Sequence, residues 1–585
     1  MGLGVLDDKN LQHVPGTATL EDLTEPHTGT PHHGNVKHGK DGIILVPQPS
    51  DDPRDPLNWP LWRRDLITGI LCLLSVIAST LSPLLAANTL TLTLYFETSF
   101  TNIALLTGYH LLGVGIAGFI FVASARVWGK RHLYLIGTII IIISSAWGGA
   151  SGDGNAEATL IGVQRRKRLY NSLLAARFFQ GIGLAPFEAL VNASVGDLYF
   201  VHERGLRMAL SNLSLFGGAF FTPVIVGKLT STLGWQWSFY LLAIFAAAML
   251  PLVILFVPET TYTRADSLNT DIARTTPNNA EYYKPSSHEL QPPSPGTSSP
   301  SQPPTTTTTT APALISRANL SPFNGRHTPT PFLKLLLRPF PLFLHPGILW
   351  ACLIQGTLIG WTVLIGIVLA AIMLGPPLFF NEVQTGYMYT GAFVGALLGF
   401  VLAGLLSDSS VKWLTKRNRG VYEPEFRMLL VIPQLIFGCA GLYGFGITAS
   451  DTWRYGWFWP DFFFGLEVMG MVLGAVASAL YIVDAHRDIA VEGFTCLLVF
   501  KNIFSFGLTF SGYNWLVQGG IRPVFMIISS VQVVVCCTTV LMCEFGSLTP
   551  GLFFKDEADD EADVFGKKNR SFFARHDILG MLNLR

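Results

Sequence analysis

Charge is what this chain has least of. Only 13% of its 585 residues are Asp, Glu, Lys or Arg, and the formal net charge is zero. A soluble domain carries about twice that share, so a water-facing globule is excluded for most of the chain. A zero balance leaves no footprint for nucleic acid. The seven cysteines (Cys72, Cys352, Cys439, Cys496, Cys536, Cys537, Cys543) all fall in apolar runs. They read as small buried hydrophobes, neither a disulfide framework nor a metal site. The first 60 residues hold no charged-then-apolar leader, so the first long apolar segment is expected to act as an uncleaved membrane signal. His486-Arg487-Asp488 spells a kinase catalytic tripeptide, but Gly493 stands where that loop needs asparagine and no glycine-rich loop precedes it. With no other catalytic, metal-ligand or phosphate-loop arrangement, no enzyme, metal or cofactor is expected.

Long apolar runs take the place of charge. Half of the residues are hydrophobic, gathered in twelve stretches split six and six by a polar insert. Runs such as Leu66–Phe96, His132–Ser151, Met208–Gly227 and Pro523–Met542 reach the roughly 20 residues that a helix needs to cross a bilayer. Backbone groups in lipid must be satisfied internally, which here means helices. The expected fold is an all-α membrane protein with 12 transmembrane helices in two six-helix bundles. Spans are expected near 65–87, 103–125, 132–151, 170–194, 208–229, 237–257, 347–373, 385–407, 428–449, 458–483, 493–516 and 523–543. Domains follow: a disordered N-terminal tail (1–60), a first bundle (61–262), a low-complexity central loop with six threonines at Thr305–Thr310 (263–345), a second bundle (346–545) and a C-terminal tail (546–585). His32, His33 and His38 read as part of a solvated tail.

Loop charge sets the orientation. With both termini in the cytosol, the inner loops hold Arg126, Lys130, Arg131, Arg204, Arg207, Lys412, Lys416, Arg417, Arg419, Arg427 and Arg487, and the outer ones Arg454 and Arg522. Arg165-Arg166-Lys167-Arg168 opposes the rule, inside a segment (158–169) that reads as an insertion or a gene-model artefact.

Charges inside lipid are costly and mark function. Within the expected spans the candidates are Arg177 and Glu188 in the fourth, Glu467 in the tenth and Lys501, followed by Asn502, in the eleventh. Arg177 and Glu188 are three turns and about 16 Å apart on nearly one helix face, able to line one cavity but not to bond each other. Glu188 is the first candidate for proton coupling, since desolvation and cavity opening move a carboxyl pKa in opposite directions. Lys501 is placed to pair with a carboxylate across the halves. Glu467 is expected near the outer end, partly wet. Tyr109, His110, Gln355, Trp361 and Tyr481 are further cavity candidates, suited as aromatic or amide groups to organic or cationic ligands. The spacings Gly391-x3-Gly395-x3-Gly399 and Gly470-x3-Gly474-x3-Ser478 predict close helix approach, of the kind rocking halves need at their contact.

At this point the chain resembles the major facilitator superfamily. Arg177-x3-Gly181-x-Gly183 is similar to a family motif associated with proton transfer, and Gly129-Lys130-Arg131 to the end of its cytosolic signature. Where that signature has an acidic residue, this chain has Arg126, so a latch between halves must differ or use Ser407-Asp408. Gly218-x3-Thr222-Pro223-x3-Gly227 resembles a degraded antiporter motif. Asp55-Pro56-Leu57-Asn58-Trp59-Pro60, Pro186-Phe187-Glu188, Asp197–Gly205 and Tyr422–Arg427 resemble a fungal drug:proton antiporter group that includes histidinol and polyamine transporters and metabolite pumps. The resemblance implies state-dependent salt bridges at Asp197, Glu203 and Arg204. It also implies a proton-coupled, monomeric plasma-membrane carrier (or vacuolar one) of a small organic molecule, by efflux or by cation uptake. The alternative is a non-transporting nutrient sensor on the same scaffold.

Overall fold

A computed structural model describes residues 18–19, 37, 48–152, 160–262, 264, 321, 323, 325–417, 421–422, 424–485 and 489–545. Among the described residues, twelve long helical segments stand where twelve spans are expected. The first six are α1 (Leu61–Ser79), α2 (Phe100–Trp128), α3 (Arg131–Ala150), α4 (Leu160–Leu198), α5 (Val201–Leu233) and α6 (Gln236–Phe256). The second six are α7 (Pro346–Leu374), α8 (Thr390–Arg417), α9 (Pro424–Ser450), α10 (Phe458–Ala485), α11 (Ala490–Gly519) and α12 (Ile521–Phe545). Eleven are long and apolar enough to cross a membrane. The remaining one, α1, opens on Arg63, Arg64 and Asp65. Among the described residues, strand structure is confined to a two-residue antiparallel pair, β1 (Ala18–Thr19) on β2 (Val421–Tyr422).

Several boundaries differ from expectation for identifiable reasons. The first span does not run to residue 87. Ser79 Oγ donates to Val76 O (3.0 Å) and Thr80 Oγ1 to Ile77 O (2.6 Å), and Pro83 lacks the N–H that a further turn needs. The chain therefore turns through 80–88 before a short helix, Thr89–Phe96. The basic run Arg165–Arg168 is not a loop but the opening turns of α4, where Arg166 pairs with Glu97. The last part of the expected tail, 48–60, is ordered. Asp55 caps a 3-10 turn at Pro56–Asn58 and binds Arg264 at 2.8 Å, and Trp59 is buried beneath the Arg63 guanidinium. The end of the expected central loop also folds, into short helices Phe332–Leu337 and Pro339–Leu342. His32, His33, His38, the threonine run and His486–Asp488 lie outside the described residues.

Each half has its own apolar core. One gathers α1–α6, and two others share α7–α12. The small-residue spacings act inside the second half rather than at the contact between halves. A Cβ on Gly395 would stand 2.0 Å from Gly465 O, and one on Gly470 would stand 2.4 Å from Gly438 N, so α8 and α9 both press their backbones against α10. Other glycines serve the seam between halves. On α2, Cβ atoms at Gly108 and Gly118 would meet Thr509 and Leu498 of α11 at 2.1 and 2.4 Å. On α5, Gly227 lies against Glu382, and the Pro223 carbonyl against Gly386 of a short helix before α8.

Candidate functional site

A cavity of about 190 Å³ lies between the halves. The broken end of α1 supplies Ser79, Ser82 and Pro83, α2 supplies Thr107, α4 supplies Glu188, and α5 supplies Phe216 and Phe220. Facing them are Thr362 of α7, Tyr389 beside α8, Phe464 and Met471 of α10, and Lys501, Asn502 and Ser505 of α11. Most of the wall is apolar, with a few hydroxyls and one charge pair.

That pair is Glu188 with Lys501, a direct ion pair joining α4 to α11 across the seam. Both side chains are largely buried, at 13% and 10% exposed, so the bond replaces hydration that neither group would have alone. Asn502 turns its amide back to Leu498 O at 2.8 Å and presents its remaining surface to the cavity.

Arg177 is elsewhere. It is fully buried, and its guanidinium donates to Leu81 O (2.6 Å), Ser82 O (3.2 Å) and Gln180 Oε1 (2.9 Å). It fixes the turn that forms one cavity wall without lining the cavity itself. Gly181 and Gly183 explain how α4 gets close enough. Cβ atoms there would lie 1.9 Å from His110 O and 2.8 Å from Ile141, so this glycine pair lets α4 wedge between α2 and α3. His110 supports the same wall, its Nε2 standing 3.1 Å from Ser82 Oγ.

Glu467 is not the partly wet residue expected. It is completely buried, with Oε1 2.7 Å from Thr362 Oγ1 and no hydrogen-bond partner for Oε2 among the described residues. Four other candidates miss the cavity. Gln355 accepts from Ser478 Oγ (3.2 Å), Trp361 donates to Gln532 Oε1 (3.1 Å), and Tyr109 packs edge-on against Phe506 at the seam. Tyr481 is buried against Trp350. Sequence reasoning missed Ser79, Ser82, Thr362, Ser505, Phe216 and Phe220. The Ser-Thr-x-Ser-Pro break after α1 was the readable signal for the first two.

The basic end of the bundle carries the motif charges. Lys130 binds Asp197 (2.5 Å), Arg64 binds Glu203 (2.9 Å) and Arg207 binds Asp65 (3.1 Å), all within the first half. Gly129 has φ +87°, and the Glu259 carboxylate fills the space a side chain would need, accepting from Lys130 N and Arg131 N at the start of α3. Arg131 is buried and donates to Ile254 O. The side chains of Arg204 and Asp408 lie outside the described residues, while Ser407 accepts from Arg427, which also binds Asp484 (3.0 Å).

Across the seam Arg126 is the cation of an ion pair. Arg126, at the end of α2, binds Glu492 in the first turn of α11 at 2.9 Å, where an acid also suits the helix N-terminus. Arg338 approaches the same carboxylate at 3.2 Å. Arg338 belongs to a strap, the segment ending at Leu342, that lies over both halves. His327 N donates to Val127 O, Leu335 packs on Ala123 and Val127, Phe340 stacks on Phe119, and Pro339 O accepts from Cys496.

Comparison with known proteins agrees with this architecture. Protein HOL1 of Saccharomyces cerevisiae is 23% identical over 581 residues, covering 91% of this chain and 94% of that protein. MFS-type transporter penM of Penicillium rubens is 25% identical over 473 residues, covering 80% and 82%. Among solved structures, the proton:xylose symporter XylE bound to 6-bromo-6-deoxy-D-glucose shares the fold, with a TM-score of 0.53 at 15% identity, over 83% of this chain and 96% of that one. The family model described as Major Facilitator Superfamily matches residues 67–488, and with twelve helices in two halves around a shared cavity this multi-pass membrane protein belongs to the major facilitator superfamily.

Proposed function

We propose that this protein is a proton-coupled secondary transporter of the fungal drug:proton antiporter type, moving a small organic cation by alternating access. It acts as a monomer in the plasma membrane, with both termini in the cytosol. The observation that carries the reading is the Glu188–Lys501 pair in the cavity wall. Lys501 acts as a tethered cation on the only carboxylate among the residues that line the cavity. A substrate ammonium group, or a proton, competes with it for Glu188. Either one frees Lys501 and unfastens α4 from α11, which links binding to movement of one half against the other. Relatives support carriage of small molecules. One is named Efflux pump radE in Floropilus chiversii, and penM is named a transporter.

The test is accumulation of labelled spermidine in transporter-deficient yeast expressing the chain, with and without a protonophore. Raised, protonophore-sensitive accumulation supports uptake, and lowered accumulation supports efflux. Glu188→Gln is expected to cut the proton-driven component by roughly tenfold or more, with the protein still in the membrane. Undiminished pH-dependent flux in that variant removes Glu188 from the mechanism.

A further inference from the structure

Thr362 and Glu467 pose a problem of hydrogen counting. Thr362 Oγ1 stands 2.9 Å from Leu358 O, the carbonyl one turn back on α7, and 2.7 Å from Glu467 Oε1 on α10. A hydroxyl has one hydrogen, and a carbonyl and an ionised carboxylate are both acceptors only. If Glu467 were ionised, the single hydrogen of Thr362 would have to be shared between these two acceptors. Each contact has a hydrogen of its own when the Thr362 hydroxyl donates to Leu358 O and accepts from a protonated Glu467.

The surroundings agree. Glu467 is completely buried, its Oε2 has no partner among the described residues, and no ion pair reaches it there. An ionised carboxylate so placed would bear a large desolvation cost. The helices around it bring no free charge. On α7 it meets Thr362, and on α9 it presses against Gly441, which has no side chain. Asp461 on α10 accepts from Gly391 N (3.3 Å), Tyr389 beside α8 donates to Gly366 O (2.9 Å), and Lys501 on α11 is held by Glu188.

We propose that Glu467 is a resident proton site, a carboxyl protonated in this conformation and connected to the substrate cavity through the Thr362 hydroxyl. Thr362 lines the cavity and Glu467 stands behind it. In release, the O–H bond at Glu467 Oε1 breaks and a new one forms at Thr362 Oγ1. The O–H bond that Thr362 first held breaks as its hydrogen turns from Leu358 O to a water in the cavity, which becomes hydronium while Glu467 becomes a carboxylate, so the proton count balances. Glu467 then adds a second proton site behind Glu188, where substrate or proton competes with Lys501, and coupling needs both carboxyls. That role of Glu467 rests on the proton-coupled reading above.

Infrared difference spectroscopy of the purified full-length protein in nanodiscs at neutral pH tests the site without any substrate. The wild type should show the carbonyl stretch of a buried protonated carboxyl. Glu467→Gln should remove that band, Glu188→Gln should leave it, and Thr362→Val should shift it. Spectra of wild type and Glu467→Gln that share the same carboxyl band would overturn the proposal. Should Glu467→Gln fail to fold, Thr362→Val carries the test, and an unshifted band there refutes the connection. For coupling, Glu467→Gln in proteoliposomes should still exchange labelled spermidine at zero pH gradient but lose gradient-driven accumulation. Gradient-driven accumulation that persists refutes proton carriage by Glu467. A wild-type protein that never responds to a protonophore would instead sink the proton-coupled reading, while the infrared band still decides whether Glu467 is protonated.

Discussion

The two halves have the same number of helices and are held together by different physics. At its basic end the first half is tied by charge: Lys130–Asp197, Arg64–Glu203, Arg207–Asp65 and Arg264–Asp55. Among the described residues the second half shows one such pair there, Arg427–Asp484. Both halves also have bare backbone contact: Gly391, Gly395 and Gly399 of α8 and Gly438 of α9 lie against α10, as Gly181 of α4 lies against the His110 carbonyl of α2. Packing of that kind tolerates almost no change of volume, whereas partly exposed ion pairs are individually weak and replaceable. The ion pairs that distinguish the first half are therefore its adjustable feature, and the glycine contacts are the rigid frame.

The largest break in this comparison should come from the frame. Gly395→Val puts a side chain where Gly465 O already stands 2.0 Å from the Cβ position. It should cost on the order of 3 kcal/mol or more, read as loss of monodisperse protein on size-exclusion chromatography. Gly404→Ala on the same helix, where nothing lies within 4 Å, should leave the elution profile unchanged. A smaller effect is expected at the seam. Glu492→Gln strands Arg126 and Arg338 together and should weaken closure by on the order of 2 kcal/mol. The readout is faster hydrogen exchange at the end of α2 and the start of α11. Unchanged exchange would mean that apolar contacts of the strap suffice.

The smallest effect is confined to the charge-held half at low pH. Burial opposes ionisation of Asp55, but the Arg264 guanidinium and the N–H groups of Ser50 and Leu57 outweigh it and hold the carboxyl below the usual carboxylate range. A depressed pKa contributes stability above the unfolded value and loses it as pH falls through the folded one. Wild-type protein should thus lose this increment below about pH 4, and Asp55→Asn should lack that part of the acid limb in thermal melts. Coincident melting curves across that window would show that the Asp55–Arg264 bond adds nothing.

Helix number and the two-half layout were legible because bilayer thickness imposes a length that composition alone reveals. So was the pairing of Lys501 with a carboxylate across the seam, since an intramembrane cation needs an anion. Depth and facing were less legible. Arg177 and Glu188 share a helix face, yet backbone carbonyls of the α1 turn claim the first and leave the second to the cavity. Glu467 looked peripheral by position along α10, but the packing of α7 and α9 around it seals it from water. The Arg126–Glu492 pair was half visible: Arg126 stands where the resembling signature has an acid, while its partner lies 366 positions further along the chain. No local pattern marks such a partner. The strap was hidden for the opposite reason, because its neighbours in sequence are so biased in composition that the segment read as linker.

That strap changes what a chain break would do. A cut placed N-terminal to Ser321 leaves the second piece with Phe332, Leu335 and Phe340, the side chains that grip Trp128, Val127 and Phe119 on the first. Co-expressed pieces divided there would carry their own adhesive, a ready-made split reporter whose reassembly depends on the grip. A cut just before Pro346 leaves the same side chains on the first piece, already seated on α2. The second piece then loses Arg338 at Glu492 and the Pro339 carbonyl at Cys496 as covalently tethered partners.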